Sequence, residues 1–370
     1  MADLAAGGGR LMFSHALVLG KFYPPHLGHH HLVRAAAAAS ERTTVAVLAS
    51  SVESIPLESR VAWMAAEHSG DPGVVVLGDM DEHPTDYSSD AVWSAHVDIF
   101  RSVLSRRAIL SGDPAGAAVD AVFTSEPYGD ELAKRLGAQH VLVDLSRSAF
   151  AVSGTAVRAD APAHWPLLAP STRAGLAARI VVVGAESTGT TTLSRALAAH
   201  YSAPWVPEYG RTHTELKLAA LTALAGPSTI DDLVWTAGDF VDVARQQALD
   251  EDAAAAESPI LVCDNDPWAA TVWCERYLGR AYPQVAAAVG DRRPLLYLLT
   301  DHRDVPFEQD GWRDGEHLRA WMTGLFEQRL TERAVPYHLL TGPHHTRLTQ
   351  AIAHTNQALT PHFTYTDPLG

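Results

Sequence analysis

Short apolar runs alternate with segments that are apolar at helical spacing along most of this chain. Runs at 15–20, 43–49, 74–77, 121–124 and 140–143 lack polar alternation, as strands buried on both faces require. Between them, 26–39, 57–68, 91–105 and 130–136 predict helices. Strands that alternate with helices imply a parallel sheet covered on both faces. Pro162, Pro166 and Pro170 break the alternation, which restarts near Ile180. There, strands at 179–183, 205–208, 260–263, 295–299 and 337–340 alternate with helices at 193–200, 214–225, 230–256 and 316–333. The pattern predicts two α/β parallel-sheet domains, 14–159 and 177–345, joined by a linker at 160–176. Residues 1–13, with three consecutive glycines, are expected to be a flexible tail, and 346–370 a carboxy-terminal tail.

Composition narrows the classes. At 370 residues, two domains of this size each bury a core of their own. A net charge of -15 speaks against general attraction to nucleic acid or an anionic membrane, so neither partner is expected and any phosphate site must be locally basic. No apolar run approaches the roughly 20 residues of a membrane span. With Cys263 and Cys274 as the only cysteines, a disulfide framework is not expected and a reducing cytoplasm is the simplest compartment. Homo-oligomerisation is left open by the sequence.

Two stretches carry chemistry. His26 and His29 stand three apart on the first turn of a helix that follows a strand and a turn, so both side chains and the helix amino end can face one anion. Ser153 and Thr155 can cap a helix bearing Arg158. Trp93 is either a core aromatic or a platform for a planar ring. Ser125 lies at a strand's carboxyl end, where open α/β sheets bind ligands.

The second stretch is Gly184, Ala185, Glu186, Ser187, Thr188, Gly189, Thr190, Thr191 and Thr192, set between an apolar strand and a helix. Glycines at this spacing turn the backbone so that successive N–H groups cradle phosphate, and Thr191 stands where a hydroxyl holds Mg2+. Thr190 occupies the position of the usual Lys, with Arg211, Lys217, Arg303 and Arg313 as candidate replacements. A kinase acting on an alcohol also needs a proton acceptor. Glu208 is the expected base and Asp264 the expected Mg2+ ligand, the reverse assignment staying open, with Asp266 a further alternative.

The run Gly20-Lys21-Phe22-Tyr23-Pro24-Pro25-His26-Leu27-Gly28-His29 resembles the first signature of nucleotidylyltransferases, and Val152 to Arg158 resembles their second. Glu208-Tyr209-Gly210-Arg211, Asp264-Asn265-Asp266 and Asp310-Gly311-Trp312-Arg313 resemble stretches of ribosylnicotinamide kinase domains. Together with Gly184-Ala185-Glu186-Ser187, they make the chain similar to the bifunctional NadR-type family from about 15 to 340. The resemblance implies a Rossmann-like nucleotidylyltransferase domain followed by a P-loop kinase-like domain. In the first, ATP and nicotinamide mononucleotide would give NAD through Lys21, His26, His29 and Arg158, with Gly20, Phe22, Tyr23, Gly28, Trp93, Ser125, Ser153 and Thr155 binding. In the second, ATP with Mg2+ would phosphorylate nicotinamide riboside through Glu208 and Asp264, with the loop 184–192, Tyr209, Arg211, Asp266, Asp310 and Arg313 binding. Adenylyltransferases for flavin or pantetheine phosphates are alternatives for the first domain, and a non-catalytic nucleotide sensor is the alternative for the second. About a dozen residues precede the first strand, too few for the DNA-binding domain of some relatives, so no DNA binding is expected.

Overall fold

β1 (Ala16–Gly20), β2 (Thr43–Ala49), β3 (Val74–Met80), β4 (Ala121–Thr124) and β5 (Gln139–Leu142) form a parallel sheet in the order β3-β2-β1-β4-β5. This is a computed structural model describing residues 13–309, 312–313 and 315–369, so the expected tail at 1–13 lies almost wholly outside the described residues. The helices between these strands are α1 (Leu27–Ala39), α2 (Leu57–Glu67), α3 (Asp90–Ser111) and α4 (Gly129–Leu136). They are followed by α5 (Gly154–Ala159) and α6 (Pro170–Leu176). Alternate residues of the central strands feed opposite faces. Leu17, Leu19, Ala46, Leu48 and Val122 pack with Val97, Phe100 and Leu104 of α3 and Leu132 of α4. Ala16, Val18, Val45, Val47 and Phe123 pack with Leu32, Val33 and Ala36 of α1. A fully buried Val or Leu contributes about 1.5–3 kcal/mol, which is why continuous apolar runs specify these central strands.

The second unit is also built on a five-stranded parallel sheet, in a different strand order. β6 (Ala178–Gly184), β7 (Trp205–Val206), β8 (Ile260–Asp264), β9 (Leu296–Thr300) and β10 (Tyr337–Leu340) are parallel in the order β10-β9-β6-β8-β7. Its helices are α7 (Thr190–Tyr201), α8 (Tyr209–Ala225), α9 (Ala237–Glu257) and α10 (Ala269–Leu278). Then come α11 (Pro283–Val289), α12 (Arg319–Arg333) and α13 (His344–His362). Contacts divide the chain into two units, one running to Gly175 and regaining the chain at Thr364, the other spanning Leu176–Phe363. Among the described residues no helix is long and apolar enough to cross a membrane.

Several boundaries differ from the sequence pattern. The helix expected over 230–256 starts at Ala237, because Thr236 and Asp239 form a reciprocal cap: Thr236 N–H donates to Asp239 Oδ2 at 2.8 Å and Asp239 N–H to Thr236 Oγ1 at 3.4 Å. Residues 160–176, expected as a linker, carry a turn at Trp165–Leu167 and then α6, with Trp165, Leu168 and Ala169 buried. Pro170 starts α6 rather than breaking a helix, as its fixed φ allows. The stretch from 346, expected as a tail, belongs largely to α13, whose Ala351 is buried against the second sheet's core. After it, Thr366 exchanges hydrogen bonds with Ser54 and Tyr23 in the first unit.

Two candidate nucleotide sites

In the first unit a cavity of about 440 Å³ reaches the carboxyl ends of β1 and β4, with Gly20 and Thr124 in its wall. Strand order reverses beside β1, the place where open α/β sheets take ligands. His26 is the N-cap of α1 and His29 lies in its first turn; their rings stack with centroids 3.6 Å apart. The His26 backbone N–H donates to His29 Nδ1 at 3.3 Å, so neutral His29 carries its proton on Nε2. Burial, with Arg147 adding, pushes His26 down to about 4, and burial followed by His26 holds His29 well below the usual histidine range. Both imidazoles are therefore neutral N–H donors near pH 7. A Cβ at Gly28 would come within 3.2 Å of the His26 ring, so glycine permits this stack. His26 Nδ1 is buried without a partner among the described residues, a polar atom that a ligand can satisfy.

Positive charge comes from elsewhere. Ser153 caps α5, accepting from Ala156 N–H at 3.1 Å. Arg158 Nη1 donates to the Tyr23 carbonyl at 2.8 Å and Nη2 to Thr155 Oγ1 at 3.3 Å, with its guanidinium over the Tyr23 ring. Lys21 lies 3.3 Å from Glu53 and also donates to the Leu369 carbonyl, so its ammonium is already engaged. Phe22 meets His29 edge-on, and Ser125 lines the cavity. Trp93 is buried, donating to the Tyr87 carbonyl at 3.2 Å, yet part of it still lines the cavity. Arg147, from the loop after β5, and the trio Asp81, His83 and His96 also line it. No periodic signal marks these four, since three sit in loops and His96 lies on a long amphipathic helix.

In the second unit a cavity of about 170 Å³ is walled by the loop after β6. Gly189 adopts φ +86°, and Gly184 has no room for a Cβ, which would stand 2.1 Å from Thr300 Oγ1. The Thr188 hydroxyl donates to the Ala185 carbonyl at 2.7 Å. Two arginines clamp the loop through its carbonyls: Arg319 donates to Ser187 O at 3.0 Å and Arg347 to Thr188 O at 3.0 Å. Ser187 Oγ accepts from Glu308 N–H at 2.8 Å, and Glu186 from Gly315 N–H at 2.7 Å. Thr192 is exposed, whereas Thr190 and Thr191 line the cavity.

Thr191 Oγ1 donates to Asp264 Oδ2 at 2.5 Å, while Asp264 Oδ1 is buried with no partner among the described residues. Burial raises the Asp264 carboxyl, opposed by the Thr191 and Thr190 hydroxyls. Glu208, half-buried, accepts from Asn265 Nδ2 at 2.7 Å. Its carboxyl is pushed up to about 7, first by burial and then by Asp264, with Asn265, Arg211 and Arg313 pulling the other way. Asp266 instead caps α10, accepting from Ala269 N–H at 3.0 Å and from Tyr297 Oη at 2.6 Å.

Among the described cavity-lining residues the cations are Arg211 and Arg313. Arg313 is itself engaged, Nη1 donating to the Glu308 carbonyl at 2.8 Å and lying 3.6 Å from its carboxylate. Of the other candidates for the missing Lys, Lys217 pairs with Asp239 at 2.6 Å and Arg303 with Asp301 at 2.6 Å, and neither lines the cavity. Asp310 lies outside the described residues. Tyr209 lines the cavity, and sequence reasoning missed the aromatic wall of Trp235, Phe240, Trp273 and Tyr277, whose Trp235 and Tyr277 rings lie 5.0 Å apart.

Known proteins resemble this chain in sequence and in fold. Residues 179–347 match the model of an AAA domain family. The trifunctional NAD biosynthesis/regulator protein NadR of Escherichia coli K12 is 23% identical over 80% of this chain and 71% of its own length. NadR of Salmonella typhimurium LT2 is likewise 23% identical, over the same shares. A crystal structure of NadR in complex with NR matches with TM-score 0.60 and 19% identity, covering 94% of this chain and 96% of that one. A second, in complex with NAD and AMP-PNP, matches with TM-score 0.58 and 20% identity over 95% and 96%. The chain is thus a homologue of the NadR proteins in sequence and shares their two-domain α/β fold.

Proposed function

We propose that the first unit transfers the adenylyl group of ATP to nicotinamide mononucleotide, releasing pyrophosphate and forming NAD. The mononucleotide's phosphate oxygen forms a bond to the α-phosphorus as the bond to pyrophosphate breaks. The nucleophile is already ionised, so the step asks for hydrogen-bond donors and charge rather than a base. The observation that carries this is the stacked, neutral His26–His29 pair opening on the same cavity as Ser153, Thr155, Arg158 and Trp93. The names of the matched relatives, an NAD biosynthesis protein and NadR crystallised with NAD, support it.

We further propose that the second unit phosphorylates the 5′-hydroxyl of nicotinamide riboside. Glu208 takes the hydroxyl proton while Arg211 and Arg313 supply the charge that Thr190 cannot. The unpartnered Asp264 Oδ1 beside the Thr191 hydroxyl fits a hard divalent cation, so Thr191 and Asp264 would hold Mg2+. When bound, such an ion offsets charge on the phosphates. The aromatic wall suits a pyridine ring, and crystallisation of a NadR with NR supports a riboside pocket. Thr190 also favours a second reading, in which this unit binds nucleotide without turnover. Purified protein incubated with ATP and Mg2+ and, separately, each substrate tests both units. Absence of NAD from the mononucleotide refutes the first proposal, and tight ATP binding without riboside phosphorylation favours the sensor.

A further inference from the structure

Asp81, His83 and His96 take no part in the adenylyl transfer described above, yet all three line the first unit's cavity. β3 ends at Met80 and places Asp81 at the sheet's carboxyl edge, where the side chain is nearly buried. His83 follows two residues later, and α3 carries His96 one turn beyond Trp93. Asp81 Oδ1 lies 3.1 Å from His83 Nδ1 and Oδ2 lies 2.6 Å from His96 Nδ1. One donor atom from each residue can be chosen so that all three lie within 4.8 Å of one another.

We propose that this trio binds a divalent transition-metal ion of the Zn2+ class. Tetrahedral Zn2+ with bonds of about 2.0–2.1 Å needs donors roughly 3.3 Å apart, which small side-chain rotations supply here. Two imidazoles with one carboxylate select borderline ions such as Zn2+ or Co2+ over Mg2+ and Ca2+, which prefer oxygen alone. Three protein ligands leave a coordination position for an oxygen donor of whatever occupies the cavity, the pattern of an exchangeable rather than a closed structural site. The Mg2+ position proposed for the second unit is separate, being made of Thr191 and Asp264.

The test uses the full-length protein stripped with chelator, with no nucleotide present. It is titrated with Zn2+ by calorimetry and with Co2+ by visible absorption. The account expects one equivalent per chain at this trio, with a Co2+ spectrum of imidazole ligation. His83→Ala and His96→Ala should each weaken binding about 10-fold or more, whereas His354→Ala in the stacked His338–His354 pair should leave it unchanged. Far-ultraviolet circular dichroism of each variant verifies folding. Stoichiometric binding that survives the His83→Ala/His96→Ala double substitution, or no binding by folded wild type, overturns the assignment. Asp81 would then serve only as acceptor for two imidazole N–H groups.

Discussion

Both cavities open beside the first strand of a five-stranded parallel sheet, in sheets of different strand order, yet their electrostatics are opposite. The first holds two imidazoles that burial keeps neutral, His26 at about 4 and His29 well below the usual histidine range. The second holds two carboxyls that burial pushes upward, with Glu208 at about 7. The difference follows from what each proposed reaction needs. A phosphate nucleophile arrives without its proton, so the first site needs only donors and charge. An alcohol arrives with its proton, so the second needs a group able to take it near neutral pH. A carboxyl raised to about 7 is matched to that task.

The contrast is most exposed at the base. Glu208→Gln should lower riboside phosphorylation by roughly 10²–10⁴ while leaving adenylyl transfer intact. Equal loss of both activities, measured on one preparation, would erase the contrast. On the other side, His29→Ala should lower adenylyl transfer by about 10²–10³, the usual loss for a preorganised donor to developing charge, with phosphorylation unchanged. Thr190 comes next. If Arg211 and Arg313 carry the relocated charge, Arg313→Ala should reduce phosphorylation by about 10², and Thr190→Lys should change it by less than about tenfold. A large gain from Thr190→Lys in single-turnover assays would instead mean that the charge is missing from the natural site.

A further prediction concerns stability rather than rate. His26 is held below its unfolded value of 6.5, at about 4. Its contribution is fully present above pH 6.5 and is lost as pH falls toward 4, because the unfolded chain binds a proton that the folded site rejects. The loss approaches about 3 kcal/mol from this group, at 1.36 kcal/mol per unit. Calorimetry from pH 7 to 4 should show a transition losing stability on acidification, with a flatter slope in His26→Asn.

Much of this was legible in the sequence, for identifiable reasons. Central strands announced themselves as unbroken apolar runs because both faces are buried, and the two glycines of the phosphate-loop pattern marked one place where a Cβ does not fit, Gly184, and one of positive φ, Gly189. The helix α13 was missed because one side of it is polar and the apolar stripe is thin, Ala351 being its buried apolar residue. The Thr236 cap was hidden inside a continuous helical periodicity. Residues brought together only by the sheet, such as Arg147 with His26 or Asp81 with His96, have no local pattern to read. Nor could sequence say that Arg319 and Arg347 hold the loop from behind, while Arg211 and Arg313 line the cavity with Thr190.

The opposed electrostatics of the two cavities can be read from the pH dependence of both activities, measured on one sample between pH 6 and 9. The account predicts that phosphorylation rises through an apparent pKa near 7, set by Glu208, and that this rise is absent from the residual activity of Glu208→Gln. It predicts that adenylyl transfer is flat above about pH 7, once the mononucleotide's phosphate, of second pKa about 6, is ionised. Two profiles rising together, both unaltered by Glu208→Gln, would contradict it.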